Sequence, residues 1–454
     1  MKVTAVLLAA GQGTRMKSDL PKVLHPLCGK PMIWHVLQAL KSAATEKPVV
    51  VIGHGADQVK EYLGDSAECV LQEPQLGTGH AVMQAEALLR DKTDYVIVTY
   101  ADMPLLQEEA FHQLLETQLQ NPGPLSLMTV IADDPRGFGR IVRKPDGTVE
   151  AIVEEYVATE EQRQIKELNV GAYCFKADWL WDALHRIEKN PRKGEYYLTD
   201  IVEIAVKDNL PVQAMVHNNI AETIGINTRI HLSEAEEAMR VRINREHMLD
   251  GVSMTHPASA YIEAGVKIGR DTVILPNTHI QGDTEIGEGN VIGPNTIIRD
   301  SKIGNRCKIL SSVVEGAVIE DDVDMGPFAR LRKGAHLKSH VHMGNFGEVK
   351  DSTLHEGVKM GHFSYIGNAI VGANTNIGAG TITANYDGEK KNKTEIGEDA
   401  FIGSDTMLVA PLKLGDGART GAGAVVTKNV PKDTLVVGMP ARAIRKVERK
   451  NKKK

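Results

Sequence analysis

The sequence predicts two folds in one chain: an α/β domain with a mostly parallel sheet, then a parallel β-helix, joined by a long helix. In the first half, short apolar strands alternate with helical patterns, an order typical of a sheet covered by helices on both faces. In the second half an aliphatic residue recurs every six positions, which fits a solenoid of six-residue faces. Between them, residues 229–248 mix spaced apolar side chains with many charges and are followed by Gly251, as expected of a half-exposed helix.

The elements of the first half follow from its apolar runs. Strands are predicted at 5–10, 49–52, 69–71, 95–99, 125–131, 149–153 and 170–175. Helices are predicted where Ile33, Val36, Leu37 and Leu40 share one face, and over 81–89. We therefore expect an α/β domain at 1–228, a helical linker at 229–250 and a hexapeptide-repeat domain at 251–454.

The six-residue spacing is the strongest signal in the chain. It is regular at Ile262, Ile268, Ile274, Ile280, Ile286, Ile292 and Ile298, and it returns at Ile396, Ile402, Leu408 and Leu414. Three such faces make a coil of about eighteen residues, and coils stack roughly 4.8 Å apart. A sandwich with chance spacing does not explain so many equal steps. The spacing lapses between Ile382 and Ile396, which predicts a projecting loop of the kind that often carries function.

Charge, cysteine content and apolar segments indicate which partners and which cellular location the protein has. The 454 residues carry a net charge of −6, which favours neither nucleic acid nor a membrane surface as partner. The basic run at 446–454 is expected to be a solvated tail. Four separated cysteines without a CxxC pair indicate free thiols and a cytoplasmic location. The apolar start of the chain leads directly into Gly11, so we expect a buried strand and not a signal peptide, and no apolar run is long enough to span a bilayer.

A first group of polar residues follows the predicted strands of the α/β half. Residues 8–16 read Leu-Ala-Ala-Gly-Gln-Gly-Thr-Arg-Met, where glycines let backbone N–H groups approach a phosphate and Arg15 adds charge. The pattern is neither a Walker loop nor a dinucleotide fingerprint, and alone it is compatible with a simple tight turn. Asp102 follows strand 95–99, at the strand end where ligands bind. It is a suitable Mg²⁺ ligand, or alternatively a turn-capping residue.

A second group lies in the solenoid. Arg332 and Lys350 are eighteen residues apart, so we expect them to stack on one face without carboxylates and to attract an anion. His362 is a candidate general base for an attacking amine; the alternative is a structural histidine bonded to a carbonyl. A metal cluster is disfavoured because its members show no repeated ligand spacing and no cysteine assists. That cluster would comprise His336, His340, His342, His355 and His362.

With these motifs, the first half resembles sugar-1-phosphate nucleotidyltransferases. The whole chain resembles the bacterial bifunctional N-acetylglucosamine-1-phosphate uridylyltransferase/glucosamine-1-phosphate acetyltransferase family. The resemblance implies a Rossmann-like nucleotidyltransferase domain and a left-handed β-helix in a homotrimer. It implies that acetyl-coenzyme A acetylates glucosamine 1-phosphate. The product then takes UMP from UTP, giving pyrophosphate and UDP-N-acetylglucosamine for peptidoglycan and lipopolysaccharide precursors.

The resemblance also implies roles for individual residues. On the nucleotide side these are Leu8, Ala9, Ala10 and Gly11 for uridine, Gln72, Gly77 and Thr78 for uracil, Tyr100, Ala101 and Asp102 beside the metal, and Gly139, Glu154 and Asn169 for the acetylated sugar. Arg15 and Lys22 would neutralise phosphate charge, and Asp102 and Asn227 would hold Mg²⁺. On the solenoid, Arg332, Lys350, Tyr365 and Asn376 would bind glucosamine 1-phosphate, and Ala379, Asn385, Tyr386, Ser404 and Ala422 would bind acetyl-coenzyme A, with His362 as the base.

The sequence departs from the family pattern at a few positions. Ala101 stands for glycine, Val170 for threonine and Gly347 for a larger residue. Met439-Pro440 stands where an arginine near the coenzyme is usual, and Arg442 is a candidate replacement. Two other functions stay open. One is a nucleotidyltransferase whose solenoid only oligomerises or regulates, and the other is a non-catalytic scaffold subunit. Retention of Asp102, Asn227, Lys22 and His362 together disfavours the scaffold.

Overall fold

The computed structural model describes residues 1–447, so the basic run predicted as a tail lies outside the described residues beyond Val447. The chain divides into two compact units, Met1–Met239 and the part from Arg240 onward. None of the helices between residues 1 and 447 combines the length and apolarity that a membrane span requires.

The first unit contains a nine-stranded mixed sheet in the order β11-β7-β10-β6-β1-β4-β5, with the β8–β9 hairpin attached to β10. Strands β1, β4, β5 and β6 are mutually parallel, whereas β10 is antiparallel to β6 and β7. Strands β2 and β3 pair separately from this sheet. The strands of the unit are β1 Val3–Leu8, β2 Pro26–Leu27, β3 Lys30–Pro31, β4 Val49–Ile52, β5 Glu68–Leu71, β6 Tyr95–Tyr100, β7 Leu125–Ile131, β8 Arg140–Arg143, β9 Val149–Val153, β10 Glu167–Lys176 and β11 Val212–Val216. Each predicted strand is present within a few residues; β2, β3, β8 and β11 were not predicted.

Helices cover both faces of this sheet. Ile33 and Phe111 belong to the core on one face, and Leu180 and Trp181 belong to the core on the other. The helices are α1 Met32–Leu40, α2 Ala56–Leu63, α3 Thr78–Met83, α4 Glu86–Leu89, α5 Glu108–Gln120, α6 Glu160–Arg163, α7 Ala177–Leu184, α8 Ile201–Lys207 and α9 Arg229–Leu249. Short 3₁₀ turns occur at Thr14–Met16, Lys22–Leu24, Gly64–Ser66, Leu198–Asp200, Ile220–Thr223 and Pro257–Ser259.

The helix predicted over 81–89 is two helices. The Gln84 side-chain amide donates to the His80 carbonyl oxygen at 3.0 Å, the acceptor that a continuous helix would offer to the Gln84 backbone. The Gln84 N–H bonds Ala81 instead. A side chain that takes a backbone partner in this way ends the regular helix.

Up to Val447, the second unit is a left-handed parallel β-helix whose three faces are sheets of twelve, ten and nine strands. The first sheet contains Ser253–Met254, Val273–Ile274, Val291–Ile292, Lys308–Ile309, Asp324–Met325, His342–Met343, Lys359–Met360, Asn376–Ile377, Phe401–Ile402, Arg419–Thr420, Thr434–Gly438 and Ala441–Lys446. The second contains Ala260–Ile262, Thr278–Gln281, Ile297–Arg299, Val313–Glu315, Arg330–Leu331, Gly347–Lys350, Ser364–Gly367, Ile382–Ala384, Met407–Val409 and Val425–Val426. The third contains Lys267–Ile268, Glu285–Ile286, Lys302–Ile303, Val318–Ile319, His336–Leu337, Thr353–Leu354, Ala369–Val371, Thr394–Ile396 and Leu412–Leu414.

The predicted six-residue spacing is confirmed by the burial and the register of these strands. Ile262 pairs with Ile280 and Ile280 pairs with Ile298, one coil apart. All seven of the evenly spaced isoleucines are buried. The solenoid core therefore consists of stacked aliphatic side chains, and each coil contributes one of them from each of its three faces.

The predicted loop is also present. Val371 pairs with Ile396, a step of twenty-five residues where most coils take about eighteen, so the extra residues leave the prism. They form a small hairpin closed by a bridge between Tyr386 and Lys391. The predicted linker helix is α9. Its second half is anchored to the first coil by the Asn244 amide, which donates to the carbonyl oxygens of Pro257 and Ala260.

Candidate active sites

The carboxyl ends of β1, β4, β5 and β6 meet at one edge of the sheet because these strands are parallel, and ligands bind at such edges. A cavity of about 650 Å³ opens there. Its lining includes eleven of the residues that sequence analysis assigned to the nucleotide or to catalysis: Leu8, Ala9, Ala10, Gly11, Arg15, Lys22, Gln72, Gly77, Thr78, Tyr100 and Asp102.

The turn that carries Gly77 and Thr78 is held rigidly. The Gln72 side-chain amide donates to the Gly77 carbonyl oxygen at 2.9 Å, and the Thr78 hydroxyl accepts from the Leu198 N–H at 3.0 Å. Gly77 has a φ of +99°, and a Cβ there would lie 2.6 Å from the Tyr196 carbonyl oxygen. Only glycine fits this close approach.

Two side-chain oxygens and two cationic groups meet at the edge of this cavity. The Lys22 Nζ lies 2.5 Å from Asp102 Oδ2 and 2.8 Å from Asn227 Oδ1. Arg15 Nη2 donates to the same Asn227 oxygen at 2.9 Å. The structure thus brings together Arg15, Lys22, Asp102 and Asn227, although the last two stand on distant segments of the chain.

A smaller cavity of about 180 Å³ adjoins the first and shares Tyr100 and Asp102 with it. Its lining also includes the predicted sugar-side residues Gly139, Glu154 and Asn169, together with Val170 and Asn227. Burial raises the pKa of Glu154, whose carboxylate accepts from the Thr199 hydroxyl at 3.0 Å.

Ala101 has a different position from its neighbours. Its side chain is fully buried in the hydrophobic core and lines neither cavity. Its backbone N–H donates to the Leu8 carbonyl oxygen at 3.0 Å. The methyl group that distinguishes it from glycine therefore packs inward.

Several lining residues were not predicted from the sequence. Gln75, whose amide donates to the Ala10 carbonyl oxygen at 2.6 Å, and Glu195 line the larger cavity. Phe138 and Thr199 line the smaller one. Gln75 and Phe138 are close in sequence to residues that were predicted to bind substrate, so the same motifs could have predicted them. Glu195 and Thr199 stand in the run 195–200, whose paired tyrosines and polar residues were not considered.

In the solenoid, His362 lies at a corner between the first and second sheets, and its side chain is exposed. The same position on the next coils is occupied by Ala379, Ser404 and Ala422, as the bonds between successive coils show. Three small residues therefore continue the line of the imidazole along the corner. All three were predicted at the coenzyme site.

The structure tests the other interpretations of the solenoid histidines. Within residues 1–447, the His362 ring has no hydrogen-bond partner, so the structural histidine bonded to a carbonyl is disfavoured. His336 bonds Glu320 at 2.9 Å and His342 bonds Asp324 at 3.1 Å. Over that same range, no cluster of His, Cys, Asp or Glu is suited to hold a metal.

Arg332 and Lys350 are on adjacent coils as predicted, since the Arg332 N–H bonds the Val349 carbonyl. The expectation that they lack carboxylates is wrong. Arg332 pairs with Glu348 at 2.9 Å and Lys350 with Asp351 at 3.6 Å. Because these pairs are solvent-accessible, they neutralise the cations only weakly.

Lys391, which sequence analysis missed, adds a third cation to this group. It projects from the hairpin loop, and the neighbouring Lys350 lowers its pKa. A cavity of about 340 Å³ beside it is lined by Asp351, Asn368 and Lys391, among others. In the sequence, the one indication of a functional role for Lys391 was its position in the stretch where the six-residue spacing lapses.

The remaining predicted residues do not share one corner of the prism, since His362 lies between the first and second sheets and the hairpin loop lies between the second and third. Tyr365 pairs in register with Glu348 on the second sheet, whereas Asn376 lies on the neighbouring first sheet. Asn385 is buried and its amide donates to Asn368 at 2.7 Å, whereas Tyr386 is exposed.

The structure shows which residues surround two of the departures from the family pattern. A Cβ at Gly347 would lie 2.6 Å from the methyl carbon of Met360 and 3.0 Å from that of Met343, so methionines fill the space of a larger residue. Arg442 is on the antiparallel terminal strand, opposite Val437.

Each half of the chain matches a known protein family, and the whole chain is similar to curated relatives. The family model for the MobA-like NTP transferase domain matches residues 5–162, and that for the bacterial transferase hexapeptide (six repeats) matches residues 265–300. The Bifunctional protein GlmU of Geobacillus sp. (strain WCH70) is 48% identical over 99% of this chain and 97% of its own length. That of Streptococcus agalactiae is 44% identical over 99% and 98%, and that of Listeria monocytogenes is 43% identical over 95% and 94%.

Proposed function

Because the chain belongs to the GlmU family of bifunctional proteins, we propose that it catalyses two successive transfers. The solenoid acetylates glucosamine 1-phosphate from acetyl-coenzyme A. The α/β domain then transfers UMP from UTP to N-acetylglucosamine 1-phosphate, giving UDP-N-acetylglucosamine and pyrophosphate. The observation that supports this most strongly is the pair of joined cavities with Asp102, Asn227 and Lys22 where they meet.

The two cavities suit the two substrates of uridylyl transfer. The larger has room for a nucleotide against the loop at 8–15, and the smaller has the polar groups of Glu154 and Asn169 for an acetylated sugar. The sugar phosphate attacks the α-phosphorus and pyrophosphate leaves in line. A phosphate oxygen is already a nucleophile near neutral pH, so no general base is needed. Arg15 and Lys22 stabilise negative charge on the transferred and leaving phosphates.

The donor set at the junction fits Mg²⁺. Asp102 offers a carboxylate oxygen and Asn227 an amide oxygen, and both face the cationic Lys22 Nζ within 2.8 Å. Mg²⁺ is typically held by one or two carboxylates together with substrate phosphates and water. Asp102 and Asn227 would hold the ion, which supplies charge neutralisation to the phosphates when bound.

The solenoid carries, at two of its corners, the groups that acetyl transfer needs. An amine that attacks a thioester must lose a proton, and the exposed imidazole of His362 is free to accept it. The small residues Ala379, Ser404 and Ala422 leave a track beside His362 for the coenzyme arm, while Arg332, Lys350 and Lys391 attract the sugar phosphate. Tyr365 and Asn376 contribute from the two neighbouring sheets, and Asn385 and Tyr386 from the loop.

The protein acts as a cytoplasmic homotrimer in this proposal. A cytoplasmic location fits the four cysteines, which form no disulfide although all lie in the described part of the chain. Association of copies fits a row of exposed aromatic side chains on three successive coils. Phe328, Phe346 and Phe363 are 60%, 61% and 55% exposed, and the first two stack at 5.6 Å. Contiguous exposed apolar surface of this kind marks an interface.

The experiment that tests the function is one assay with both substrate pairs, in which free thiol and pyrophosphate are measured separately. Acetyl-coenzyme A with glucosamine 1-phosphate is expected to release thiol, and UTP with N-acetylglucosamine 1-phosphate to release pyrophosphate. Pyrophosphate without thiol would favour a nucleotidyltransferase whose solenoid only oligomerises or regulates. Neither product would favour a scaffold subunit.

A further inference from the structure

The ammonium group of Lys22 lies between the two oxygens that the proposed function assigns to magnesium. Its distances to Asp102 Oδ2 and Asn227 Oδ1 are 2.5 and 2.8 Å. The Lys22 side chain is 12% exposed and that of Asp102 is 25% exposed. This ion pair is therefore partly shielded from water, which strengthens it relative to an exposed pair.

One ammonium and one divalent cation cannot share these two oxygens. Mg²⁺ binds oxygen ligands at about 2.0–2.1 Å, and the nitrogen of Lys22 occupies the volume just beyond that distance from Asp102. Two cations so close would also repel each other strongly. Either the metal or Lys22 is bound at this point, but not both.

We propose that Lys22 is an internal competitor for the metal, which a divalent cation must displace from Asp102 and Asn227. This inference rests on the proposed uridylyl transfer and adds to it a coupling between metal and nucleotide. The phosphates of UTP attract the displaced ammonium, so each ligand makes room for the other. By linkage, the metal then favours UTP by the same factor as UTP favours the metal.

The surroundings of Lys22 permit such a movement. Its stem is fixed near the base by Gly13, where an added Cβ would lie 2.7 Å from the Lys22 Cβ. Beyond that contact, the flexible methylene chain of a lysine can redirect its ammonium. Arg15 donates to the same Asn227 oxygen at 2.9 Å, so a metal bound to that oxygen must displace this guanidinium as well.

The first test measures Mn²⁺ binding to the protein without nucleotide, by the loss of the free-ion electron paramagnetic resonance signal. Lys22→Met removes the competitor, and Lys17→Met removes an equal charge from an exposed neighbour of the same loop. If Lys22 holds the oxygens in nine molecules of ten, Lys22→Met binds Mn²⁺ about tenfold more tightly than wild type. Lys17→Met is expected to match wild type. Equal affinity in all three proteins contradicts the proposal.

The second test uses the wild-type protein, so it does not depend on the folding of a variant. Acylation of lysines by acetic anhydride is followed by mass spectrometry with and without Mg²⁺, and Lys17 serves as the internal reference. Displacement from the ion pair predicts that Mg²⁺ raises the labelling of Lys22 relative to Lys17. An unchanged ratio would overturn the proposal. If the same preparation releases pyrophosphate in the full assay, the proposed function survives that result; without pyrophosphate, the function itself fails.

Discussion

Asp200 gives the nucleotide half a pH-dependent stability. Burial, with smaller effects from Glu203 and Glu154, raises its pKa from 3.8 to about 6. The folded protein therefore binds this proton more tightly than the unfolded chain does. Ionisation of Asp200 destabilises the fold, and the penalty grows as pH rises from about 3.8 to 6 and is complete above that range.

Asp200→Asn is expected to raise the free energy of unfolding at pH 7.5 by about 1–2 kcal/mol, after allowance for partial solvent screening. The gain should be several-fold smaller at pH 4, where wild-type Asp200 is largely protonated in the folded protein and partly protonated in the unfolded chain. Urea unfolding at the two pH values measures it, with Asp91→Asn on the surface as control. A gain of the same size at both pH values would exclude the ionisation of Asp200 as its cause.

Gly77 illustrates how much a single backbone position constrains the uracil side of the cavity. Gly77→Ala combines a positive φ with a clash against the Tyr196 carbonyl. We expect the free energy of unfolding to fall by about 1–3 kcal/mol and UTP to bind more weakly. Gly147→Ala has a similar φ of +86° but meets no atom within 4 Å, so it isolates backbone strain. Calorimetric UTP titrations and chemical unfolding of both variants measure the difference; equal effects would show that the contact with Tyr196 is unimportant.

Asp102 and Thr199 differ in whether their place in the cavity could be predicted from the sequence. Asp102 was predicted because a polar residue at the end of a buried strand has a defined place in an α/β sheet. Thr199, in contrast, reaches the same cavity from a turn that precedes α8. Its position depends on the packing of distant segments, which local spacing does not encode.

Among the elements, the hairpin loop of the solenoid is the one whose role can be tested by a single charge. Lys391→Gln is expected to raise the KM for glucosamine 1-phosphate roughly tenfold, because one charge-assisted contact to a phosphate is lost. Pyrophosphate release should not change. Lys393→Gln, which removes a lysine paired with Glu395 in the strand that follows the loop, is the matched control. An equal rise of KM in both variants would mean that general charge, and not the position of Lys391, attracts the substrate.

The phenylalanine row is the element that we expect to join copies of the chain. Phe346→Ser removes its central member, and light scattering after gel filtration should then show a smaller assembly at micromolar concentration. Val318→Ser changes an exposed apolar residue on another face and should leave the assembly intact. A trimer that persists in Phe346→Ser would place the interface elsewhere.

The two kinds of element differ in how far the sequence predicts them. The solenoid strands follow a fixed local period over 262–298 and again over 396–414, so their inward residues were predictable in those two stretches. In the α/β domain, the boundary between α3 and α4 depends on one hydrogen bond of Gln84. Strand β11 gains its partner β7 only from the assembled sheet. The short mixed sequences of β8 and β11 carry no clear period.

The two proposed activities of the chain should be separable by single substitutions. Asp102→Ala is expected to abolish pyrophosphate release and to leave thiol release intact. His362→Ala is expected to lower thiol release by about 10²–10⁴-fold and to leave pyrophosphate release intact when N-acetylglucosamine 1-phosphate is supplied. Both rates are measured on the same preparations. Equal damage to both activities from either variant would contradict two independent sites.

The stacking register of the solenoid has a consequence for how this half of the chain can change in length. Because alternate residues of each strand point in opposite directions, the loss of one residue within a strand would turn its core side chains towards water. A deletion or duplication of one entire coil keeps every following strand in phase. Viable length variants should therefore differ by whole turns of the prism, or by segments bulging from its corners as residues 385–393 do.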